Sequence, residues 1–271
     1  MRVTLGEKWR DALLLLGNSA KKVCWVIRNR YDSHKMWMLS VLPFYNFGGL
    51  RYWVSVQQTQ RLLRYIVPRE ATKKNEIGVA GSSPLYWYQE KYRIGPKWTG
   101  PNDVDIFVAG YWGRSRERFE ILVDLMEERI VGAGYKCTRK DKFHPYACRS
   151  GLIRITDFAI KGLNQVVSFV QHPECDSVQE VARGFDISVC KVVYHIHQQR
   201  FETMHGTHRD IVRCQFYVHP LEITSPGKPT NFERGKWVST DGRCAKYRRR
   251  GFELMNKDEI LVWYERKYCG F

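Results

Sequence analysis

Residues 78–108 read GVAGSSPLYWYQEKYRIGPKWTGPNDVDIFV and carry the strongest structural signal of the sequence. A short apolar run leads into the turn GSSP at 81–84, and a second apolar run opens with Asp103 and Asp105. Successive side chains of a β-strand point to opposite faces, so these two carboxylates share one face of a predicted strand. Paired carboxylates repel each other unless a positive charge lies between them. The pair is therefore a candidate metal site, and oxygen ligands of this kind suit Mg²⁺ or Mn²⁺. The alternative is a carboxylate pair that faces solvent at the start of a strand, which is a common pattern.

The turn before the predicted helix supplies a second element. Gly81, Ser82 and Ser83 stand between a strand and a helix, where backbone N–H groups and a hydroxyl can bind the phosphates of a nucleotide. The simpler interpretation is a turn followed by a helix cap, because Ser is a preferred cap and Pro a preferred first-turn residue. Both can hold at once. A phosphate site next to a carboxylate pair is what nucleotidyl transfer requires.

A third carboxylate is expected, because two-metal phosphoryl transfer uses more acidic ligands than a pair. Asp186 is the candidate, since it interrupts the apolar run FDISVCKVV at 185–193, where an unpartnered acid is costly to bury. If residues 185–194 form a strand beside strand 103–109, the three aspartates converge. The alternative is a structural acid that is paired with an arginine or with backbone N–H groups.

The charge of the chain points to a polyanionic partner. Its 271 residues carry 44 Lys and Arg against 28 Asp and Glu, a net charge of +16, while 44% hydrophobic residues exclude a disordered chain. RNA is the simplest partner. The candidate contacts are the basic residues Lys97, Lys246, Arg248, Arg249 and Arg250. Trp98 and Tyr247 stand among them and could stack on bases, although a basic run can also be a solvated helix face.

The eight cysteines contain no CxxC pair and follow no secretory signal. This usage predicts reduced thiols in the cytoplasm or nucleus, without a membrane-spanning segment. His205, His208 and Cys214 could supply three zinc ligands, but they lack the spacing of a structural zinc site, so zinc is not expected.

The periodicity of the chain predicts an α/β (α+β) protein with a mixed sheet flanked by helices. Residues 1–75 are expected to be an N-terminal helical segment packed on the core, residues 76–220 the core, and residues 221–271 a basic, partly helical C-terminal region. The predicted elements of the core are strands 76–80, 103–109, 134–139, 151–160, 165–171 and 185–194, and helices 84–92, 115–132 and 176–183.

The order of these motifs resembles the nucleotidyltransferase fold of the DNA polymerase beta superfamily. A Gly-Ser turn, a helix, Asp-x-Asp on a strand and a later lone Asp on a strand match at Gly81, Ser82, Asp103, Asp105 and Asp186. The arrangement FDISVC and the later RCAKYRRRGF are similar to nucleotidyltransferase-like proteins of large DNA viruses and some protists. The resemblance covers residues 76–194. Its departure is a long gap between Ser82 and Asp103.

The resemblance implies a metal-dependent transfer of NMP from an NTP such as ATP to an acceptor hydroxyl, with RNA as the expected acceptor. Asp103 and Asp105 would hold Mg²⁺ or Mn²⁺, Asp186 would complete the site, and the Gly-Ser turn would bind the triphosphate. The alternative is a catalytically inactive protein of this fold that binds RNA or forms part of a ribonucleoprotein or virion.

Overall fold

The computed structural model describes residues 48–72, 74–148, 151–219, 242–258 and 260. The sequence also predicts one or two helices at 5–30, a loop at 224–236 and a helix at 256–267. The first two predictions and most of the third lie outside these ranges. The chain divides into two compact units, Met1–Gln58 and Thr59–Phe271. Apart from the bounds of one helix that crosses residue 58, everything below concerns the second unit. The domain boundaries expected after residues 75 and 220 stay predictions.

Helices and a large mixed sheet make up the described chain, which confirms the predicted α/β class. The helices in chain order are α1 (Gly48–Ile66), α2 (Ser82–Tyr92), α3 (Gly110–Gly113), α4 (Arg116–Gly132), α5 (Val178–Arg183), α6 (Thr207–Val212) and α7 (242–249). Within the described ranges, none of the helices combines the length and the apolar character needed to cross a lipid bilayer.

The main sheet has seven strands in the order β3-β4-β5-β2-β1-β6-β7. Strands β2 and β5 run parallel, and the other neighbours in this sheet are antiparallel. The strands are β1 (Ile77–Ala80), β2 (Asp103–Val108), β3 (Cys137–Cys148), β4 (Gly151–Ile160), β5 (Val166–Gln171), β6 (Val192–His195) and β7 (Arg200–Thr203). A separate parallel pair joins β8 (Gln215–Phe216) to β9 (Glu253–Leu254).

One face of the sheet is apolar and packs against helices. On β2 the buried residues are Val104, Ile106 and Val108, as the alternation of the sequence predicts. Ser115 caps the N-terminus of helix α4, and its hydroxyl accepts a hydrogen bond from the N–H of Arg118 at 3.2 Å. The helix buries one side, which consists of Phe119, Leu122, Val123, Met126 and Ile130.

The opposite face, called here the aspartate face, carries Asp103, Asp105 and Phe107 of β2. Helix α5 covers this face over β1 and β6, where Val178 and Ala182 pack with Ala80 and Val193. Farther along the same face, Ser168 of β5 is buried, its neighbours Val166 and Val170 keep partial exposure, and Ala159 of β4 is exposed. Within the described chain, α5 therefore leaves a solvent-accessible floor beside the aspartates.

Three predicted boundaries were wrong. Residues 140–148, predicted as part of a basic loop, continue β3, which pairs with β4 along most of its length. Helix α2 starts at Ser82 rather than Pro84, with Gly81 as its N-cap. The predicted strand 185–194 is a 3₁₀ turn at Ser188–Cys190 followed by β6.

The turn at Ser188 has a long-range cause. The Ser188 N–H donates to the carbonyl of Tyr217, and the Ser188 hydroxyl accepts from the N–H of Tyr217 at 3.0 Å. The hydroxyl of Thr207 donates to the Ser188 carbonyl at 3.1 Å. These partners satisfy the backbone of Ser188 outside the main sheet, and the adjacent Ile187 forms an isolated antiparallel bridge with Val218.

A buried histidine on β6 gives a prediction about stability. Burial lowers the pKa of His195, and its 2.9 Å hydrogen bond to Glu202 partly offsets this effect. The unfolded state then binds a proton more readily than the folded state, so His195 stabilises the fold above about pH 6.5 and this contribution is lost as the pH falls. We expect His195→Gln, whose amide can still donate to Glu202, to flatten the fall in stability between pH 7 and pH 5. Urea unfolding at both pH values measures this, and parallel curves for the two proteins would contradict it.

Candidate functional site

The register of β1 against β2 brings the Gly-Ser turn to the carboxylate pair. Val79 pairs with Ile106 in this antiparallel ladder, so the next residue, Ala80, lies opposite Asp105, and the Gly-Ser turn follows directly. The Ser83 hydroxyl donates to the Asp103 carbonyl at 2.5 Å and ties the start of α2 to the start of β2. The two motifs that the sequence places far apart are therefore neighbours.

The start of α2 is built like a phosphate site. Gly81 caps the helix without a side-chain cap hydrogen bond, and Ser82 and Ser83 contribute the first N–H groups, which have no acceptor within the helix. The free N–H groups and the helix dipole favour an anion at this position. Ser83 is fully buried, and its hydroxyl donates its proton to the backbone carbonyl of Asp103. This hydroxyl therefore positions the start of α2 against β2 and, contrary to expectation, does not offer its proton to a nucleotide.

Gly81 has a backbone conformation that only glycine adopts easily. Its φ is 89° and its ψ −137°, while a Cβ at this position would meet only the Phe185 ring, at 3.9 Å. The strain would come from the backbone and not from packing. We expect Gly81→Ala to lower the free energy of unfolding by about 1–3 kcal/mol and to weaken nucleotide binding.

Gly132→Ala is the matched control for this change. Gly132 ends α4 and has open space around its Cβ direction, so its substitution should be neutral or slightly stabilising. Urea unfolding and nucleotide titration of both variants make the comparison. Equal stability of the two variants would contradict the role assigned to the Gly81 backbone.

The third carboxylate on the aspartate face is Asp157, which the sequence analysis missed. Asp105 pairs with Ser168 of β5, and Ser168 pairs with Asp157 of β4, so the three residues form one row across the sheet. Two strand spacings separate the two aspartates, which is about 10 Å between Cα atoms. The Ser168 hydroxyl donates to Asp157 Oδ1 at 2.8 Å. The sequence signal for Asp157 is an acid at the centre of the apolar run ITDFAI at 155–160. This is the same kind of signal that made Asp186 the candidate.

Lysines balance the negative charge of this row. The Lys142 ammonium lies 2.6 Å from Asp157 Oδ2. Burial and the neighbouring Asp103 carboxylate raise the pKa of Asp105 to about 7, Asp157 adds to the rise, and Lys246 and Lys142 oppose it. Such mutual repulsion in a partly buried group is what a bound cation relieves.

In the part of the chain that the structure describes, no three side chains among His, Cys, Asp and Glu lie close enough to share one metal ion. This applies to the three aspartates as they stand and also to His205, His208 and Cys214. Nδ1 of His208 lies 2.9 Å from the hydroxyl of Tyr88, so the ring is hydrogen-bonded to a tyrosine. The cysteines whose state is described, at 137, 175, 190, 214 and 244, are free thiols.

Asp186 lies elsewhere than the sequence predicts. The neighbours of β2 are β1 and β5, and residue 186 belongs to neither strand, so the expected convergence through adjacent strands was wrong. Asp186 is only 4% exposed, and its Oδ2 lies 2.6 Å from the Arg243 guanidinium of α7. Its carbonyl accepts the N–H of His219 at 2.6 Å. The arginine-paired structural acid is therefore the interpretation that these contacts favour.

Helix α7 joins Asp186 to the aspartate row. Arg243 and Lys246 are three residues apart and so share one side of the helix. Arg243 holds Asp186, while Lys246 acts electrostatically on Asp105. Tyr247 is buried in the apolar core that α7 shares with Phe216 and Phe252, and this anchors the helix from its other side.

The remaining basic candidates have different surroundings. The Arg250 guanidinium stacks on the Trp98 ring, 3.7 Å from the ring centroid. The stacked faces of both side chains, which were expected to contact nucleic acid, are therefore in contact with each other. Tyr247 is buried, which rules out its expected stacking on bases in this conformation. Lys97, Arg248 and Arg249 are exposed and stay candidates for a nucleic-acid contact.

Comparisons with known proteins add no family to this picture. No model of a known protein family matches the chain, and a search of curated proteins finds no significant match. The geometry of the aspartate face is therefore what any functional proposal must rest on.

Proposed function

We propose that the protein is a metal-dependent nucleotidyltransferase that moves NMP from an NTP to an acceptor hydroxyl, with RNA as the acceptor. One observation carries the proposal: the register of the sheet sets the N-terminus of α2 beside Asp103 and Asp105, in a row that continues to Asp157. A helix start that can bind phosphate, next to two carboxylates on one strand face, is the arrangement that phosphoryl chemistry needs.

The carboxylates fit a hard divalent cation such as Mg²⁺ or Mn²⁺. Asp103 and Asp105 would hold it, and Asp157 would join them after release from Lys142. When bound, the cation would neutralise phosphate charge and polarise the phosphoryl group. The raised pKa of Asp105 supports this fit, because burial and carboxylate repulsion leave a group that a cation would stabilise in its charged form.

The chain's own groups would do the rest. The N–H groups of Ser82 and Ser83 would bind triphosphate oxygens, and Lys246 would contact the same group from α7 rather than an RNA backbone. Asp157, oriented by Ser168, would accept the proton of the attacking hydroxyl. The hydroxyl oxygen then bonds to the α-phosphorus as the bond to pyrophosphate breaks.

The experiment that tests the proposal is incorporation of each α-labelled NTP into a mixed RNA pool, with Mg²⁺ or Mn²⁺. The control is the double variant Asp103→Ala, Asp105→Ala. Incorporation that the double variant loses would support the enzyme and begin to identify its substrate. No incorporation with any nucleotide, or equal incorporation by both proteins, would reject the reaction for these substrates.

The alternative is an inactive protein of the same fold that binds RNA. The observation that favours it is the placement of Lys142 and Lys246 at the row, because their ammonium groups supply positive charge where a cation would bind. Thermal unfolding with added Mg²⁺ or Mn²⁺ separates the two proposals. An upward shift that needs Asp103 and Asp105 supports the enzyme, whereas no shift supports the inactive protein.

A further inference from the structure

Four lysines lie on the aspartate face of the β3–β4 ribbon. Lys140 pairs with Asp157, and Lys142 pairs with Ile155, so both lysines project on the face that carries the row. The same register continues to Lys136, whose carbonyl accepts the N–H of Lys161 at 2.8 Å. We call these residues, Lys136, Lys140, Lys142 and Lys161, the lysine ribbon.

Exposure alternates over residues 136–140 as this register requires, and residues 141–143 are all exposed. Lys136, Thr138 and Lys140 are exposed, whereas the intervening Cys137 and Arg139 are partly buried. Between the lysines the ribbon carries only the small side chains of Thr138 and Ala159, a directly opposed pair. The result is a shallow surface of small side chains with ammonium groups on both sides, and it adjoins Asp157 along the ribbon.

The two faces of the ribbon differ in charge. On the face that packs on α4, Arg139 makes ion pairs with Asp124, Glu127 and Asp141. On the aspartate face the Lys142 ammonium forms an ion pair with the Asp157 carboxylate. Lys136, Lys140 and Lys161 make no ion pair with any residue that the structure describes. Within the described residues, no contact ion pair therefore neutralises these three ammonium groups.

We propose that the lysine ribbon binds the phosphate backbone of the acceptor, a single-stranded RNA. Alternate residues of a strand are about 6.8 Å apart, which is comparable to the separation of phosphates on an extended single strand. A strand of RNA along β3 would bring its end to the row that contains Asp157 and Asp105. Lysine ammonium groups would contact the phosphates of the RNA and not the edges of its bases, so binding would not depend on the RNA sequence. This acceptor role rests on the proposed function, whereas the binding itself does not.

Edge position offers a simpler explanation of the lysines, because β3 is an edge strand and charged side chains there block pairing with other chains. The two explanations make different predictions. Lysines that only protect the edge would not affect RNA affinity, and their loss would instead cause aggregation.

The test measures binding of an unstructured 20-nucleotide RNA by the full chain, without nucleotide or metal, over a range of KCl concentrations. The variant carries Lys136→Gln, Lys140→Gln and Lys161→Gln, and Lys142 is kept because it contacts Asp157. The matched control carries Lys91→Gln, Arg93→Gln and Arg213→Gln, which removes three exposed charges from α2 and from the end of α6.

We expect the ribbon variant to bind RNA more weakly and the slope of log K against log salt to fall in magnitude by about 2, since each lost phosphate contact contributes about 0.7. The control should keep the wild-type slope. No RNA binding by the wild type, an unchanged slope in the ribbon variant, or equal losses in both variants would overturn the proposal. The binding assay contains no nucleotide, so its result does not depend on the proposed reaction. RNA binding here, together with no NMP incorporation in the separate assay, would reject the enzyme and leave the lysine ribbon as an RNA site.

Discussion

We expect Asp105→Asn to lower NMP incorporation by at least about 10³-fold, because a lost charged ligand removes several kcal/mol of transition-state stabilisation and each 1.4 kcal/mol is a factor of ten. Asparagine keeps the size of the side chain and removes only its charge. Incorporation of α-labelled NTP under saturating nucleotide and metal measures the effect.

The fold should survive this substitution. Burial and the nearby Asp103 raise the pKa of Asp105 to about 7, so the neutral form of the side chain already suits its surroundings. We therefore expect the melting temperature of Asp105→Asn to equal or exceed that of the wild type. Asp176→Asn is the control, since Asp176 is an exposed partner of Arg114 outside the aspartate face. Near-normal incorporation by a folded Asp105→Asn protein would contradict the assigned site.

The second large effect is expected at the Asp186–Arg243 pair. Arg243→Gln leaves the buried Asp186 carboxylate without this guanidinium, and we expect a loss of about 2 kcal/mol in the free energy of unfolding. This is below the usual cost of breaking a buried pair, because the Arg243 side chain is 43% exposed and solvent screens the interaction. Asp186→Asn should cost less, since the remaining arginine can be hydrated.

A double-mutant cycle isolates the pair. The double variant Asp186→Asn, Arg243→Gln should be less destabilised than the sum of the single variants, with a coupling energy of about 1 kcal/mol. Because Arg243 and Lys246 share one side of α7, both single variants should also raise the KM for NTP more than they lower kcat. Strict additivity in stability, or a kcat loss as large as that of Asp105→Asn, would instead favour a direct catalytic role for Asp186.

Much of the site follows from local sequence. Alternation predicted the shared face of Asp103 and Asp105, and the turn residues predicted where α2 begins to within two residues. These features depend on neighbours in the chain, whose geometry is set by the two-residue period of a strand and by the conformational freedom of Gly81.

The choice between Asp157 and Asp186 could not be made in the same way. Both acids interrupt apolar runs, and only the strand order decides which one lies on the aspartate face. That order places β5 beside β2 and β4 beside β5. The third acid is therefore Asp157 of β4, which belongs to the β3–β4 hairpin. Long-range hydrogen bonds such as that between Ser188 and Tyr217 likewise override the strand pattern of residues 185–194.

The parallel pairing of β2 with β5 has a consequence for how the protein folds. These two strands cannot meet through a tight turn, because the chain must first pass through α4 and the β3–β4 hairpin. Pairings that close such long loops make folding slow, since the entropy of closure is lost before the contacts form. The carboxylate row is therefore assembled late, and the proposed metal site cannot include all three acids until β5 has left the ribosome.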